Sequence, residues 1–232
     1  ATGANVFLAP EAGTGGPYVL DIGEHLRVLI LDSAWWLLHG EAEDGMLHMG
    51  VLKGVEEAML TAGDREVVIA AHHPFRSAGP HGGEFSFWHT MGVRYLLARS
   101  GAILQDVTSL PYRALERGYR DIFSRTGPPL AFVGGHEHSL QIHYALEPTD
   151  PTYSVVSGSA SKMSTLGSAD GLQFASAAPG YMRLVVAKDG TVSLFVEASP
   201  PEYQVCPEDA RLDACMAAGV ASFQTVHAQR LR

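Results

Sequence analysis

Two short, β-rich apolar runs, Tyr18–Ile22 and Leu26–Leu31, flank Gly23-Glu24-His25 and predict a hairpin leading into Asp32-Ser33-Ala34-Trp35-Trp36. From His48 to Ala62 the apolar residues Val51, Leu52, Val55, Ala58 and Met59 recur at helical spacing, and Gly63 offers a stop. Val67–Ala71 is then continuously apolar, the pattern of a strand buried on both faces. Tyr112, Leu115, Tyr119, Ile122 and Phe123 mark a second amphipathic helix that ends at Gly127-Pro128-Pro129. A buried strand over Leu130–Val133 follows. Further strands are predicted at Gln141–Leu146, Tyr153–Val156, Tyr181–Val186 and Thr191–Val196, with Asp189-Gly190 turning the last pair. Helices alternate with strands first and strands follow one another later, which predicts a layered α/β or α+β sandwich of mixed sheets flanked by helices.

The 232 residues suit one substantial domain or the larger part of one, and a hydrophobic content of 46% against 18% charged residues supplies a packed core. The net charge of -9, from 16 basic and 25 acidic residues, opposes non-specific nucleic-acid and anionic-membrane binding. A bound pair of divalent cations would reverse that field locally, so an anionic substrate stays compatible. No apolar stretch is long enough to span a bilayer, and no secretory signal pattern opens the chain. Ala1 in place of a starting Met reads as processing or truncation. Cys206 and Cys215 lie in a C-terminal stretch, where a disulfide in an oxidising compartment and two unrelated thiols are both open readings.

The candidate chemistry sits where two buried strands end. Val67–Ala71 runs into His72-His73-Pro74, and Leu130–Val133 runs into Gly134-Gly135-His136-Glu137-His138. Ligands of open α/β sheets bind beyond the carboxyl ends of the strands, so neighbouring strands would bring His72, His136 and His138 together. Neutral imidazole ligates several first-row metal ions. The glycine pair permits the unusual backbone angles of a tight turn and removes side-chain bulk beside it. His136 and His138 would point to one side of an extended segment, or toward two adjacent ions around a turn.

His72-His73-Pro74 followed by Ser77-Ala78-Gly79-Pro80-His81-Gly82 resembles the G-H-x-P…H-G segment of the calcineurin-like metallophosphoesterases, in particular the purple acid and tartrate-resistant acid phosphatase branch. Gly135-His136-Glu137-His138 is similar to their G-H-x-H motif. Leu29-Ile30-Leu31-Asp32-Ser33 resembles their strand ending in L-D-S/T, and Tyr153–Lys162 with Ser157-Gly158-Ser159 resembles a later strand and its small-residue turn. The likeness runs roughly from Tyr18 to Glu197. It implies a metallophosphoesterase domain over residues 1–200, its C-terminal portion, and a tail over 201–232. It implies two divalent or trivalent metal ions (Fe, Mn or Zn) that activate water against a phosphoester. His72 and His136 would ligate one ion and His138 the other. His81 would donate a proton to the leaving group or bind phosphate, a reading that stands beside that of a solvated loop histidine. His73 would support the loop, and Asp32, which the family pattern leaves without a ligand role, would be structural.

The family's D-x-H, G-D-x-x-D and G-N-H-D/E motifs are not found in this chain. Three histidines are too few for two ions. The expectation is therefore a histidine half-site, poorly active alone, whose Asp and Asn ligands come from a missing N-terminal segment. The alternative is a catalytically inactive binding or assembly module, for which Trp35-Trp36 and the acidic Glu41-Ala42-Glu43-Asp44 segment would offer a partner surface unless the tryptophans cap the core. A metallo-β-lactamase relative would want H-x-H-x-D-H, whereas His138 is followed by Ser139-Leu140-Gln141. The likeness to secreted phosphatases and the two cysteines lean toward a periplasmic or secreted location.

Overall fold

The structure, a computed structural model, describes residues 8–11, 13–39, 41–81, 91–93, 96–97, 100, 103–160, 163–199 and 223–232, with 41–44 described by their backbone alone. Cys206 and Cys215 lie outside the described residues, as do Lys162 and Gly82. The expected hairpin is β1 (Tyr18–Ile22) and β2 (Leu26–Ile30), paired antiparallel with Asp21 opposite Arg27. That register lets the Arg27 guanidinium grip both carboxylate oxygens of Asp21, at 2.7 and 2.9 Å.

After the hairpin the chain forms α1 (Ser33–Leu38) and α2 (Glu41–Leu60). The Asp32 side chain accepts the Trp35 backbone N–H and so caps α1, the structural role expected of it. Trp35 and Trp36 are buried, at 9% and 6% exposure, so they cap the core and offer no partner surface. The acidic stretch 41–44 is the first turn of α2 and not a loop; α2 begins seven residues before the apolar periodicity does.

β3 (Glu66–Ala70), α3 (Leu110–Thr126) and β4 (Ala131–Gly134) follow. α3 buries Tyr112, Leu115, Tyr119, Ile122 and Phe123 as its pattern predicts, and is capped by Ser109 at its start. β5 (Leu140–Tyr144) and β6 (Tyr153–Ser157) precede β7 (Leu172–Ser176), a strand with no clear apolar signature. These seven strands form one mixed sheet in the order β1-β2-β3-β4-β6-β5-β7, in which β2, β3, β4 and β6 run parallel. β8 (Gly180–Val186), β9 (Val192–Ala198) and β10 (Gln224–Arg230) form a second, antiparallel sheet.

Within residues 201–232, β10 pairs with β9 across most of its length. Its alternation is half-exposed and its apolar content low; backbone pairing holds it, with side-chain bonds from Thr225 to Glu197 and from Gln229 to Gln173.

The large sheet is covered on both faces, which is why its central strands are continuously apolar. On one face Leu29, Val67, Ile69 and Phe132 pack with Trp35, Val55, Leu115, Ile122 and Phe123 of the helices. On the other, Val68, Ala131, Ile142 and Val155 pack against Val192, Leu194 and Val196 of the small sheet. Alternate residues of one strand serve opposite cores, the two-residue period of a pleated strand. Among the described residues no helix is long and apolar enough to cross a membrane.

Candidate metal centre

The parallel strands β2, β3, β4 and β6 end along one rim of the sheet, and the candidate residues follow those ends. The ladder runs past the strands themselves: the Ala71 N–H donates to Val133 O at 3.0 Å, and the Gly135 N–H to His72 O at 2.9 Å. His72 and the 134–138 turn are thereby fixed to one another. His72, His81, His136 and His138 line a single cleft of about 500 Å³ together with Gln105, Gly135 and Gly158.

The turn uses its glycines for lack of bulk and not for backbone angle. The left-handed backbone angle falls on His136, at φ 57°, a conformation that costs a side-chain-bearing residue about 1 kcal/mol or more. Gly134 is small for another reason: a Cβ there would lie 2.7 Å from the Pro74 Cα. Between the two outer histidines, Glu137 is fully buried and accepts the His81 backbone N–H on Oε1 at 2.6 Å. It ties the 72–81 loop to the 135–139 turn. Sequence reasoning passed over Glu137, although a carboxylate between two histidines at a buried strand end was a legible signal. Gln105 and the buried Asp106, whose charge acts on His136, carried no signal in the sequence.

Three rings form the centre of the cluster. Ring centroids are 5.1 Å apart for His72–His136, 4.9 Å for His72–His73 and 4.5 Å for His73–His136. His81 lies 5.0 Å from His136. His136 Nδ1 and His72 Nε2 are 3.2 Å apart. Each of His72, His73 and His136 can offer one ring nitrogen such that all three lie within 4.8 Å of one another. Burial, reinforced by the neighbouring rings His73, His81 and His72, depresses the His136 pKa to about 3. Burial and His72 bring His73 to about 4. Burial also holds His72 below the ordinary imidazole range, with the Asp32 charge opposing and His138 adding to the shift. The rings are therefore neutral at pH 7 and carry free lone pairs, the state in which imidazole binds metal.

The residues present thus fit one ion. His73 Nε2 and His136 Nε2 are buried and have no hydrogen-bond partner, and the donor set is three neutral imidazoles. Among the described residues no second such group of three forms, and His138, which lines the same cleft, is not one of the three.

The fold recurs in solved structures. GAP50, the anchor in the inner membrane complex of Plasmodium, superposes with a TM-score of 0.50 at 10% identity, covering 93% of this chain and 52% of that one. PhoD gives a TM-score of 0.52 at 11% identity over 79% of this chain and 38% of that one. A purple acid phosphatase from yellow lupin (Lupinus luteus) seeds gives 0.51 at 13% identity over 90% of this chain and 35% of that one. The chain has the calcineurin-like metallophosphoesterase fold. At such identities the likeness is one of fold, and the chain spans about half or less of the length of these proteins. No family model matches its sequence, and no curated protein does. Within the calcineurin-like fold the histidine cluster occupies the carboxyl rim of the parallel strands, where such sheets bind their ligands.

Proposed function

We propose that this chain carries the histidine part of a metal-dependent phosphoester hydrolase site. The observation that carries the reading is the convergence of His72, His81, His136 and His138 in one cleft of a fold shared with phosphatases. In this reading His72 and His136 hold one ion and His138 a second. Bound ions of this kind polarise a phosphoryl oxygen and make hydroxide available near neutral pH.

The chain's own groups then have defined tasks. Burial brings the His136 pKa down to about 3, and partial desolvation lowers that of the more exposed His72, which favours the neutral, ligating form of both rings at neutral pH. Glu137 fixes the backbone of His81, setting that ring 5.0 Å from His136, within reach of a substrate bound across the rim. His81 is there as proton donor to the departing alkoxide or as a phosphate ligand. The Asp and Asn ligands that complete both ions come, in this reading, from a further N-terminal segment. An extracytoplasmic location belongs to the same proposal; finding Cys206 and Cys215 oxidised in the native protein would support it.

The test compares metal-loaded 232-residue chain with the full-length product of its gene on p-nitrophenyl phosphate and its bis-ester. Turnover is expected from the full product, abolished in His72→Ala and His136→Ala, while the isolated chain stays at the level of the metal blank. A second reading, a non-catalytic assembly module on the same fold, is favoured by the likeness to a protein described as an anchor. A full-length product that binds metal and is inert toward both ester classes would establish it and end the hydrolase reading.

A further inference from the structure

His73 was expected to brace its loop. It is 1% exposed, and its ring is held from one side only: Nδ1 lies 2.9 Å from Ser33 Oγ, which also accepts the His73 backbone N–H at 3.1 Å. Two contacts to one hydroxyl at the start of α1 leave the ring little freedom. Its other nitrogen, Nε2, is buried with no hydrogen-bond partner, and the ring lies 4.9 Å from that of His72 and 4.5 Å from that of His136. A buried ring nitrogen without a partner is a loss that a bound metal ion would make good, and on His73 that nitrogen is Nε2.

We propose that His73 is the third ligand of the ion shared by His72 and His136, so that this chain holds one metal ion in a three-histidine centre that needs no carboxylate. The proposal rests on the reading that the cluster binds metal, and it replaces the bracing role with a coordinating one.

Distances support it. With metal–nitrogen bonds of about 2.0–2.1 Å and a tetrahedral angle, two ligand nitrogens sit about 3.3 Å apart. His136 Nδ1 and His72 Nε2 are 3.2 Å apart, the spacing of two ligands of one ion. The three donor atoms lie within 4.8 Å of one another, which small ring rotations close to ligand spacing. The Ser33 hydroxyl is the outer partner that fixes the tautomer when it accepts a proton from Nδ1 and leaves the Nε2 lone pair free, a recurrent arrangement for metal-bound histidine. Three neutral imidazoles with the cleft side open suit Zn²⁺ and Co²⁺ and disfavour Mg²⁺ and Ca²⁺, which prefer oxygen ligands.

The experiment needs no turnover. Apo chain labelled with ¹⁵N is titrated with ¹¹³Cd²⁺, and imidazole nitrogens coupled to the metal are assigned by NMR. In parallel, Co²⁺ is titrated to read stoichiometry and the visible spectrum of a four-coordinate site. The expected result is one ion per chain and coupling to His72, His73 and His136. His73→Gln is expected to weaken Zn²⁺ binding by about tenfold or more, and Ser33→Ala by a smaller factor. Coupling to His138 in place of His73, coupling to His72 and His136 alone, or no stoichiometric binding would each overturn the proposal. The wild-type spectra decide the matter even if His73→Gln fails to fold. A three-histidine ion in a full-length protein without hydrolysis would overturn only the enzymatic reading, whereas turnover with His73 uncoupled would overturn only this one.

Discussion

His143 shows how one buried ring is kept neutral away from the cleft. It is 1% exposed, its Nε2 lies 2.8 Å from Gln141 Oε1, and that oxygen also accepts the Ala78 N–H. Nδ1 is buried without a partner, so a second proton would be stranded there. Burial, and after it the Arg76 charge, brings the pKa down from 6.5 to about 4. The sign follows from linkage: the unfolded chain takes up this proton below pH 6.5 and the folded chain resists until about 4. The stability contributed is complete above pH 6.5 and is lost as the pH falls toward 4. The depression corresponds to something on the order of 3 kcal/mol. His143→Gln is therefore expected to lose less stability than wild type between pH 7 and 4.5, read from urea midpoints. Parallel pH slopes for the two proteins would mean that His143 titrates normally. Histidines of the cleft contribute equally to both and cancel in the comparison.

At the scale of elements, the rim depends on how closely β6 approaches the turn after β4. A Cβ on Gly158 would lie 2.0 Å from the Glu137 carbonyl oxygen and 3.2 Å from the Gly135 carbonyl carbon, contacts with backbone that no rotamer can relieve. Gly158→Ala must push the turn away from the strand end. It is expected to cost about 1–3 kcal/mol, and to weaken Co²⁺ binding because His136 moves with the turn. A variant with unchanged melting temperature and unchanged Co²⁺ titration would show that the approach is not this close in solution. The elements themselves were largely legible in the sequence. β3, β4 and α3 follow directly from apolar period and flanking turn residues, and the three histidines were found because each follows a strand whose pattern is unmistakable. β7 and β10 were not legible, since half-exposed strands held by pairing carry no apolar stripe. The start of α2 was missed because its first turns present no apolar face to read.

For the molecule as a whole, the joint between the helix layer and the histidine loop is a buried carboxylate. Asp150, 1% exposed, is paired at 2.8 Å with Arg76, just beyond His72-His73-Pro74, and with Arg120 of α3. Its Oδ2 also accepts the Leu146 and Glu147 N–H groups at 3.0 and 3.2 Å. Asp150→Ala leaves the Arg76 guanidinium without its carboxylate and Arg120 with Glu116 alone, and a loss on the order of 3 kcal/mol is expected in chemical denaturation. A loss under about 1 kcal/mol would mean that water replaces the carboxylate readily.

The amino-acid sequence by itself determined the strand and helix inventory near the site, the fold class and the gathering of histidines at strand ends. Those features are set by periodicity and by turn chemistry within a few residues, which any stretch of chain carries locally. Only the tertiary structure decided that His73 turns its free nitrogen inward, that Glu137 clamps the His81 loop, and that β10 returns to the small sheet. Each of those depends on a partner distant in the chain: Ser33 lies 40 positions from His73, and Glu137 lies 56 from His81. Side-chain direction beyond a strand end is fixed by what packs against it, and packing of that range leaves no period in the sequence.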